Sequence, residues 1–185
     1  MSAMKWKPLR IGIIALVLIA DGLLTWAITA LRGENVLTLQ ACLESESGVR
    51  AWVCQEALFK LHPTHQDMEA LNASAGAQFP VSMENRQAAA RLLRHYLDAG
   101  LDINAIDQRS SLKWTALHEA AFAGNLQAVR LLIENGANPD AKDASGRTPL
   151  DIAHDTAAKA PSAANTQIIS ILTAAGTRPE SHFIR

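Results

Sequence analysis

The segment HEAAF at residues 118–122 contains two of the three residues that form a common catalytic zinc motif. In the helical pattern H-E-x-x-H, two histidines one turn apart hold Zn²⁺ and the glutamate activates a water molecule for hydrolysis. His118 and Glu119 stand in that order, but Phe122 occupies the position of the second histidine. We therefore expect no metal at this segment, and the histidine at position 118 needs another explanation.

A second group with ligand chemistry occurs in HPTHQD, residues 62–67, where His62 and His65 precede Asp67. Two imidazoles and a carboxylate could bind a metal ion, but no fourth ligand follows closely. Pro63 favours the end of a preceding helix, so we interpret the segment as a solvated loop. The sequence also lacks a G-x-S-x-G elbow, a Walker-type loop and a pair of catalytic carboxylates. We predict no enzymatic activity, no cofactor and no small-molecule substrate.

Composition limits the class of protein before any element is assigned. The 185 residues are 49% hydrophobic and 19% charged, which suits one modest folded domain with an appendage and does not resemble a disordered chain. The formal net charge is −1, so no overall basic field attracts nucleic acid. We therefore expect neither DNA nor RNA as a partner.

The most apolar part of the sequence is IGIIALVLIADGLLTWAITAL, from Ile11 to Leu31. As a helix it would span roughly 31 Å, about the thickness of the hydrocarbon core of a bilayer. Its one charged residue, Asp21, costs about 2.5–3.5 kcal/mol at a membrane centre, whereas each Ile, Leu and Val returns roughly 0.3–0.6 kcal/mol. With eleven such residues, the segment is predicted to be a transmembrane helix, in which Asp21 could pair with a partner helix.

The basic residues around this segment set its predicted orientation. Three of them lie within residues 1–10, and only Arg32 follows the segment closely. Because basic flanks favour the cytoplasmic side, we expect a cytoplasmic N-terminus, a signal anchor in a bacterial inner membrane and a C-terminal domain in the periplasm. The alternative is a cleaved signal peptide and a secreted periplasmic protein. Cleavage after Ala20 or Ala30 would leave a large residue at the upstream recognition position.

Two cysteines, Cys42 and Cys54, follow the predicted span. They lie in a region with helical spacing of apolar residues, interrupted by the turn-like sequence SESG, and we predict a helical hairpin with a linker over residues 32–83. Helices joined at this turn could place the two thiols together, and an oxidising compartment favours a disulfide. The alternative is a pair of small buried thiols.

An internal repeat explains the second half of the chain. The segments WTALHEA and RTPLDIA recur 33 residues apart, which aligns Thr115 with Thr148. A period of this length is typical of stacked helix pairs. The sequence therefore predicts an all-α protein whose C-terminal half is a short solenoid of helix-turn-helix units.

The repeated segment resembles the ankyrin repeat, because TALHEAAFAGN, LQAVRLLIENGA and NPDAKD match that family's pattern in type and spacing. Weaker copies precede and follow it, with Gly100 aligned to Gly136, so the resemblance covers residues 84–177 and leaves a tail at 178–185. No clear first helix precedes Ala88. We expect the inserted AAKAPSAANT to lengthen the connection between the two helices of the last repeat.

The resemblance implies structural roles for four residues. In the ankyrin family, the threonine and histidine of the T-x-L-H tetrapeptide begin the first helix and tie one repeat to its neighbour. HEAAF is then the start of a helix, and its similarity to a zinc motif is accidental. The last repeat departs from the pattern, with Asp151 in the histidine position, so we expect it to pack less tightly. The residues assigned these structural roles are Thr115, His118, Gly136 and Thr148.

The resemblance also implies a protein-binding surface. Ankyrin stacks bind other proteins through the turn tips and the exposed side of each first helix, and we expect apolar side chains there to act as anchors unless neighbouring loops cover them. The residues at the corresponding positions are Trp114, Glu119, Phe122, Arg147, Ile152 and Asp155. The predicted function is a membrane-anchored adaptor or scaffold in the periplasm, and the alternative is an inhibitor or immunity protein that masks a periplasmic enzyme or toxin.

Overall fold

The computed structural model describes residues 36–45 and 47–177, together with the single helical residue Gly22. The regular structure of this part is helical, and two isolated antiparallel bridges accompany the helices. Apart from Gly22, the predicted membrane helix at 11–31 lies outside the described residues, as does the predicted tail at 178–185. Within the described residues, no helix combines the length and the apolar character that a membrane crossing requires.

The chain divides into two compact units, residues 1–62 and residues 63–185. The sequence-based division assigned residues 32–83 to the hairpin and its linker. Residues 63–83 belong to the second unit and contain two of its helices. The second unit therefore begins earlier than the sequence motif alone indicates.

The first unit contains a hairpin of two packed helices, α1 (Val36–Ser45) and α2 (Gly48–Lys60). Gly48 begins α2 with φ of 64°, a left-handed conformation that glycine adopts without steric cost. A disulfide joins Cys42 of α1 to Cys54 of α2, with 6.2 Å between the Cα atoms. The buried apolar residues of the hairpin are Val36, Leu39, Cys54, Ala57 and Leu58.

Loss of this disulfide should destabilise the hairpin. A cross-link between residues 12 positions apart removes conformational freedom from the unfolded chain, an effect of roughly 3 kcal/mol for a loop of this size. Cys42→Ser should therefore increase amide hydrogen exchange throughout α1 and α2. Adding reductant should reproduce this change in the wild type and have no effect on Cys42→Ser. Two titratable thiols in protein purified without reductant from its native compartment would contradict the bond.

The second unit is a stack of helices that pair in sequence. α4 packs against α5, α6 against α7, and α8 against α9, while the first helices of the pairs lie side by side in the order α4, α6, α8. This arrangement buries one apolar face of each helix between its neighbours. The helices are α3 (His65–Asn72), α4 (Gln78–Val81), α5 (Arg86–Asp98), α6 (Ala116–Phe122), α7 (Leu126–Glu134), α8 (Pro149–Lys159) and α9 (Ala163–Gly176).

Three of these helices begin with a threonine cap and a polar partner three residues later. In α3, the N–H of Thr64 donates to the Asp67 carboxylate at 2.7 Å, and in α8, Thr148 donates to Asp151 at 2.8 Å. Such reciprocal caps satisfy donors that the first helical turn leaves unpaired. In α6 the partner is His118, whose ring can reach farther than a carboxylate can.

The ends of α5 and α7 also share one geometry. Gly100 and Gly136 follow these helices with φ of 101° and 92°, in the left-handed region that favours glycine. The residue after each glycine donates its N–H to a carbonyl five positions earlier, at 2.9 Å in both cases. Gly136 thus terminates its helix in a manner that a residue with a Cβ would adopt only with strain.

Asparagine side chains connect successive turns of the stack. The Asn72 carboxamide oxygen accepts from the N–H of Asp102 at 2.8 Å, and the Asn104 oxygen accepts from the N–H of Asn138 at 2.7 Å. Each bond joins residues 30 or more positions apart, so local chain geometry does not enforce it. The first bond ties the end of α3 to the turn after α5, and the second ties that turn to the turn after α7.

The inserted segment AAKAPSAANT does not lengthen the connection in the last repeat, and that expectation was wrong. α6 and α7 are separated by residues 123–125, and α8 and α9 by residues 160–162, so both connections have the same length. The extra residues instead extend α8 to 11 residues, compared with 7 in α6, and α9 to 14, compared with 9 in α7. Alanine favours helix, which explains why the helices absorb the insertion.

Candidate protein-binding site

His118 lies in the first turn of α6, and both of its ring nitrogens are hydrogen bonded. Nδ1 is 3.3 Å from the backbone nitrogen of Thr115 and 2.9 Å from its Oγ1. Nε2 is 3.1 Å from the carbonyl oxygen of Arg147, in the turn that precedes α8. Because a carbonyl can only accept, Nε2 carries the proton and donates to Arg147, while Nδ1 accepts from Thr115. The ring therefore ties one repeat to the next.

The environment of His118 keeps the imidazole neutral. The side chain is fully buried, and burial lowers the pKa of the ring, although the Arg147 carbonyl and the Asp143 carboxylate oppose the shift. A neutral ring suits this position because only the neutral form has both a donor and an acceptor. With both nitrogens engaged, His118 has no lone pair left for a metal ion.

Asp143 is a second junction between the same two repeats. One carboxylate oxygen accepts from the indole Nε1–H of Trp114 at 3.2 Å and from the Arg147 guanidinium at 2.9 and 3.1 Å. The other accepts from the backbone N–H groups of Ser145 and Arg147 at 2.8 and 2.9 Å. Burial alone would raise the pKa of Asp143, but these donors outweigh it and lower the pKa to about 2. Asp143 is therefore a carboxylate at any physiological pH.

The sequence did not identify Asp143 as a functional residue. The available signal was its alignment with Asp107, one repeat earlier. Asp107 also accepts from the backbone N–H of a nearby residue, Arg109, at 3.0 Å. An aspartate at this position thus organises the turn in both repeats, and the Asp143 carboxylate also accepts from a tryptophan indole.

Trp114 and Phe122 form an aromatic pair beside this junction. Their ring centroids are 5.2 Å apart at an interplanar angle of 56°, and Trp114 also stacks with His118 at 6.4 Å. Phe122 is 56% exposed, whereas Trp114 is half-buried because its indole reaches Asp143. The pair thus presents a supported apolar surface to solvent.

Arg147 and Asp155 extend this surface onto the next repeat. The Arg147 guanidinium is half-buried and lies 3.7 Å from the exposed Asp155 carboxylate. Its stronger partner is Asp143, at 2.9 Å. The structure thus brings together Trp114, Phe122, Arg147 and Asp155 around one turn.

Ile152 is not part of this surface, and the expectation that it points outward was wrong. It is only 3% exposed. Ile152 aligns with Glu119 of the preceding repeat. The first helix that precedes α8 in the stack is the complete helix α6, whereas the one that precedes α6 is the four-residue helix α4. The complete neighbouring helix covers Ile152, and the short one leaves Glu119 exposed.

Glu119 lines a cleft of about 310 Å³ between α4, α6 and α7. Burial and the negative charge of Asp107 raise the pKa of its carboxyl group. The walls of the cleft are mostly apolar. Glu119 is therefore a charged group at the edge of an apolar depression, on the same helix as Phe122.

The interpretation of residues 62–67 as a solvated loop was wrong, because His65 and Asp67 lie in the first turn of α3 and His62 is buried. Asp67 caps α3 through Thr64, His65 is exposed beside Glu69, and His62 is buried in the first unit. Across the described part of the chain, no three histidine, cysteine, aspartate or glutamate side chains come together as a metal site would require.

Replacing His118 should destabilise the stack. His118→Ala removes a buried hydrogen-bonding group from Thr115 and Arg147, which should lower the free energy of unfolding by about 1–3 kcal/mol in denaturant titrations. Because folding lowers the pKa of His118, the unfolded state binds more protons at acidic pH. The free energy of unfolding of the wild type should therefore decrease as the pH is lowered below about 6.5. This part of the pH dependence should disappear in His118→Ala.

His154, which is exposed on α8, provides the matched control. His154→Ala should change the free energy of unfolding by no more than about 0.5 kcal/mol. Stoichiometric zinc in the wild type that is lost in His118→Ala, with an unchanged unfolding curve, would overturn the structural role.

Comparison with known families supports the assignment of the repeats. A family model described as ankyrin repeats, in three copies, matches residues 81–179, which is 99 of the 185 residues. The match begins at Val81, the last residue of α4, the helix that the sequence motif had left undefined. It contains α5 and both of the helix pairs that follow, α6 with α7 and α8 with α9.

Several known proteins share this similarity. The chain is 35% identical to ankyrin repeat and SOCS box protein 16 of Mus musculus over 117 residues, which cover 63% of the chain and 24% of that protein. It is 42% identical to ankyrin repeat and SOCS box protein 3 of Bos taurus over 50 residues, 27% of the chain and 10% of that protein. It is 54% identical to potassium channel AKT3 of Oryza sativa subsp. japonica over 39 residues, 21% of the chain and 4% of that protein. The chain spans less than a quarter of the length of these relatives.

Proposed function

This chain belongs to the ankyrin repeat family, and from that premise we propose that it is a membrane-anchored adaptor that binds another protein through the surface around α6. Ankyrin repeats act as protein-binding modules and are generally not enzymes. The residues of this surface are Trp114, Glu119, Phe122, Arg147 and Asp155.

The exposed Phe122 ring is the observation that carries this proposal. The Phe122 side chain is 56% exposed, so a partner that covers it removes apolar surface from water and gains binding free energy. Trp114 holds the ring from one side, so the partner does not have to order it. Aromatic and arginine side chains dominate binding energy at protein interfaces, and Arg147 lies at the adjoining turn.

We place the repeats on the periplasmic side of a bacterial inner membrane. The apolar segment 11–31 and the basic residues before it support an anchor with an internal N-terminus. The disulfide between Cys42 and Cys54 supports an oxidising compartment for the region beyond the anchor. A secreted protein released by signal cleavage would agree equally well with the disulfide.

Truncation of Phe122 should weaken partner binding without loss of stability. The full chain, used as bait in its native cells, should capture a partner whose affinity is then measured by titration. Phe122→Ala should weaken that affinity about tenfold or more, since a central aromatic anchor often contributes 2 kcal/mol or more. The free energy of unfolding should remain within about 0.5 kcal/mol of the wild type.

Val49 supplies the control for this experiment, because its side chain is 75% exposed but lies outside the repeats. Val49→Ala should bind the partner as the wild type does. If Phe122→Ala binds equally well, the proposed surface is wrong. If the partner is a single enzyme or toxin whose activity the chain abolishes, the protein is an inhibitor or immunity protein and not an adaptor.

The anchored topology has its own test. A reporter that is active only after export, fused after Arg185, should be active, and the protein should remain with membranes after alkaline washing. Recovery of a shortened chain in the soluble fraction would establish signal cleavage. An inactive reporter would place the repeats on the cytoplasmic side.

A further inference from the structure

The cleft beside Glu119 is a consequence of one shortened helix. α4 has 4 residues, whereas α6, the next first helix in the stack, has 7. The volume left between α4, α6 and α7 is about 310 Å³, comparable to the smallest ligand pockets of proteins. Its apolar lining is contributed by Phe79, Val81, Ala116, Ala120, Ala123 and Ala128.

Glu119, at the edge of the cleft, is charged, whereas its counterpart in the next repeat is apolar. Ile152 occupies the aligned position and is buried. A glutamate in place of a buried isoleucine cannot complete the packing of α4 against α6, because a carboxylate loses hydration free energy in an apolar contact. The position is therefore suited to a ligand group that supplies an opposite charge.

Among the described residues, Glu119 has no such charge as a bonding partner. The described residues form neither a hydrogen bond nor an ion pair with its carboxylate. Burial and the like charge of Asp107 both raise the pKa of its carboxyl group. Arg109, the cation closest to this pair in sequence, is bonded to Asp107 at 3.3 Å. A cation from outside would relieve the repulsion between the two carboxylates.

We propose that this cleft binds a lysine or arginine side chain of the partner protein, with the alkyl stem against the alanine walls and the cationic end at Glu119. The inference rests on the proposed protein-binding function and specifies the chemistry of the partner. Long basic side chains combine an apolar stem with a charged end, which matches the apolar lining and the single carboxylate of the cleft. A purely apolar side chain would desolvate Glu119 without compensation.

The proposal is tested with Nα-acetyl-arginine amide as a probe and the full chain labelled for NMR. At millimolar concentrations, the probe should cause saturable shifts in the Glu119 carboxyl carbon and in the backbone amides of Ala120 and Ala123. Nα-acetyl-norleucine amide has a similar stem without the charge, and it should bind about tenfold more weakly or not at all, because a charge-assisted bond is lost.

Variants of the chain identify the carboxylate involved. Glu119→Gln should lower the affinity for the arginine probe about tenfold or more. Asp98→Asn, which changes an exposed carboxylate outside the cleft, should leave that affinity unchanged. Since Glu119 is exposed, its replacement should preserve the fold. The absence of saturable shifts, or equal loss in both variants, would overturn the proposal.

The two proposals fail in different ways. Suppose that a captured partner requires Phe122 but binds Glu119→Gln as tightly as the wild type. The proposal of a basic side chain in the cleft is then wrong, and the protein-binding function stands. If no partner depends on Phe122, the proposed function fails irrespective of the probe. A tight complex weakened about tenfold by Glu119→Gln, with added salt narrowing the difference, supports both.

Discussion

The arrangement of the repeats depends on the hydrogen bonds that converge on the turn before α8. The Arg147 carbonyl accepts from His118 of the preceding repeat and from the N–H of Asp143 in its own turn, at 3.1 and 2.9 Å. Asp143 in turn accepts from Trp114 of the preceding repeat. Both of these bonds cross from one repeat to the next, and each involves a buried side chain, His118 or Asp143, whose loss would leave an unsatisfied partner. The positions of α8 and α9 relative to α6 follow from this junction.

The same structure explains why the functional surface lies around α6. The junction places Trp114 under Phe122 and so orders an exposed aromatic ring, while the short α4 leaves an opening on the other side of α6. Between the complete helices α6 and α8, the equivalent space is filled by Ile152. A solenoid with uniform first helices would have no such opening, so the irregular first pair generates a distinct surface within an otherwise regular stack.

Local features could be predicted from the sequence, and features that depend on a neighbouring repeat could not. The cap formed by Thr115 and His118, and the helix end at Gly136, follow from spacing within one helix, which the motif records directly. The burial of Ile152 depends on the length of a helix more than twenty residues away. The role of Asp143 depends on which turn contacts Trp114. The inserted alanines of the last repeat lengthen its helices and not its loop, as the high helix propensity of alanine would have predicted.

Trp114 gives the molecule an optical probe at its own junction. It is the one tryptophan in the sequence of residues 63–185, since the other three, Trp6, Trp26 and Trp52, precede residue 63. Its indole is bonded to Asp143 and packed beside Phe122. With the other three replaced by phenylalanine, all of the tryptophan emission would come from this single ring. Separation of the repeats would shift the emission to longer wavelength as water reaches the indole, while a protein covering Phe122 would shift it to shorter wavelength.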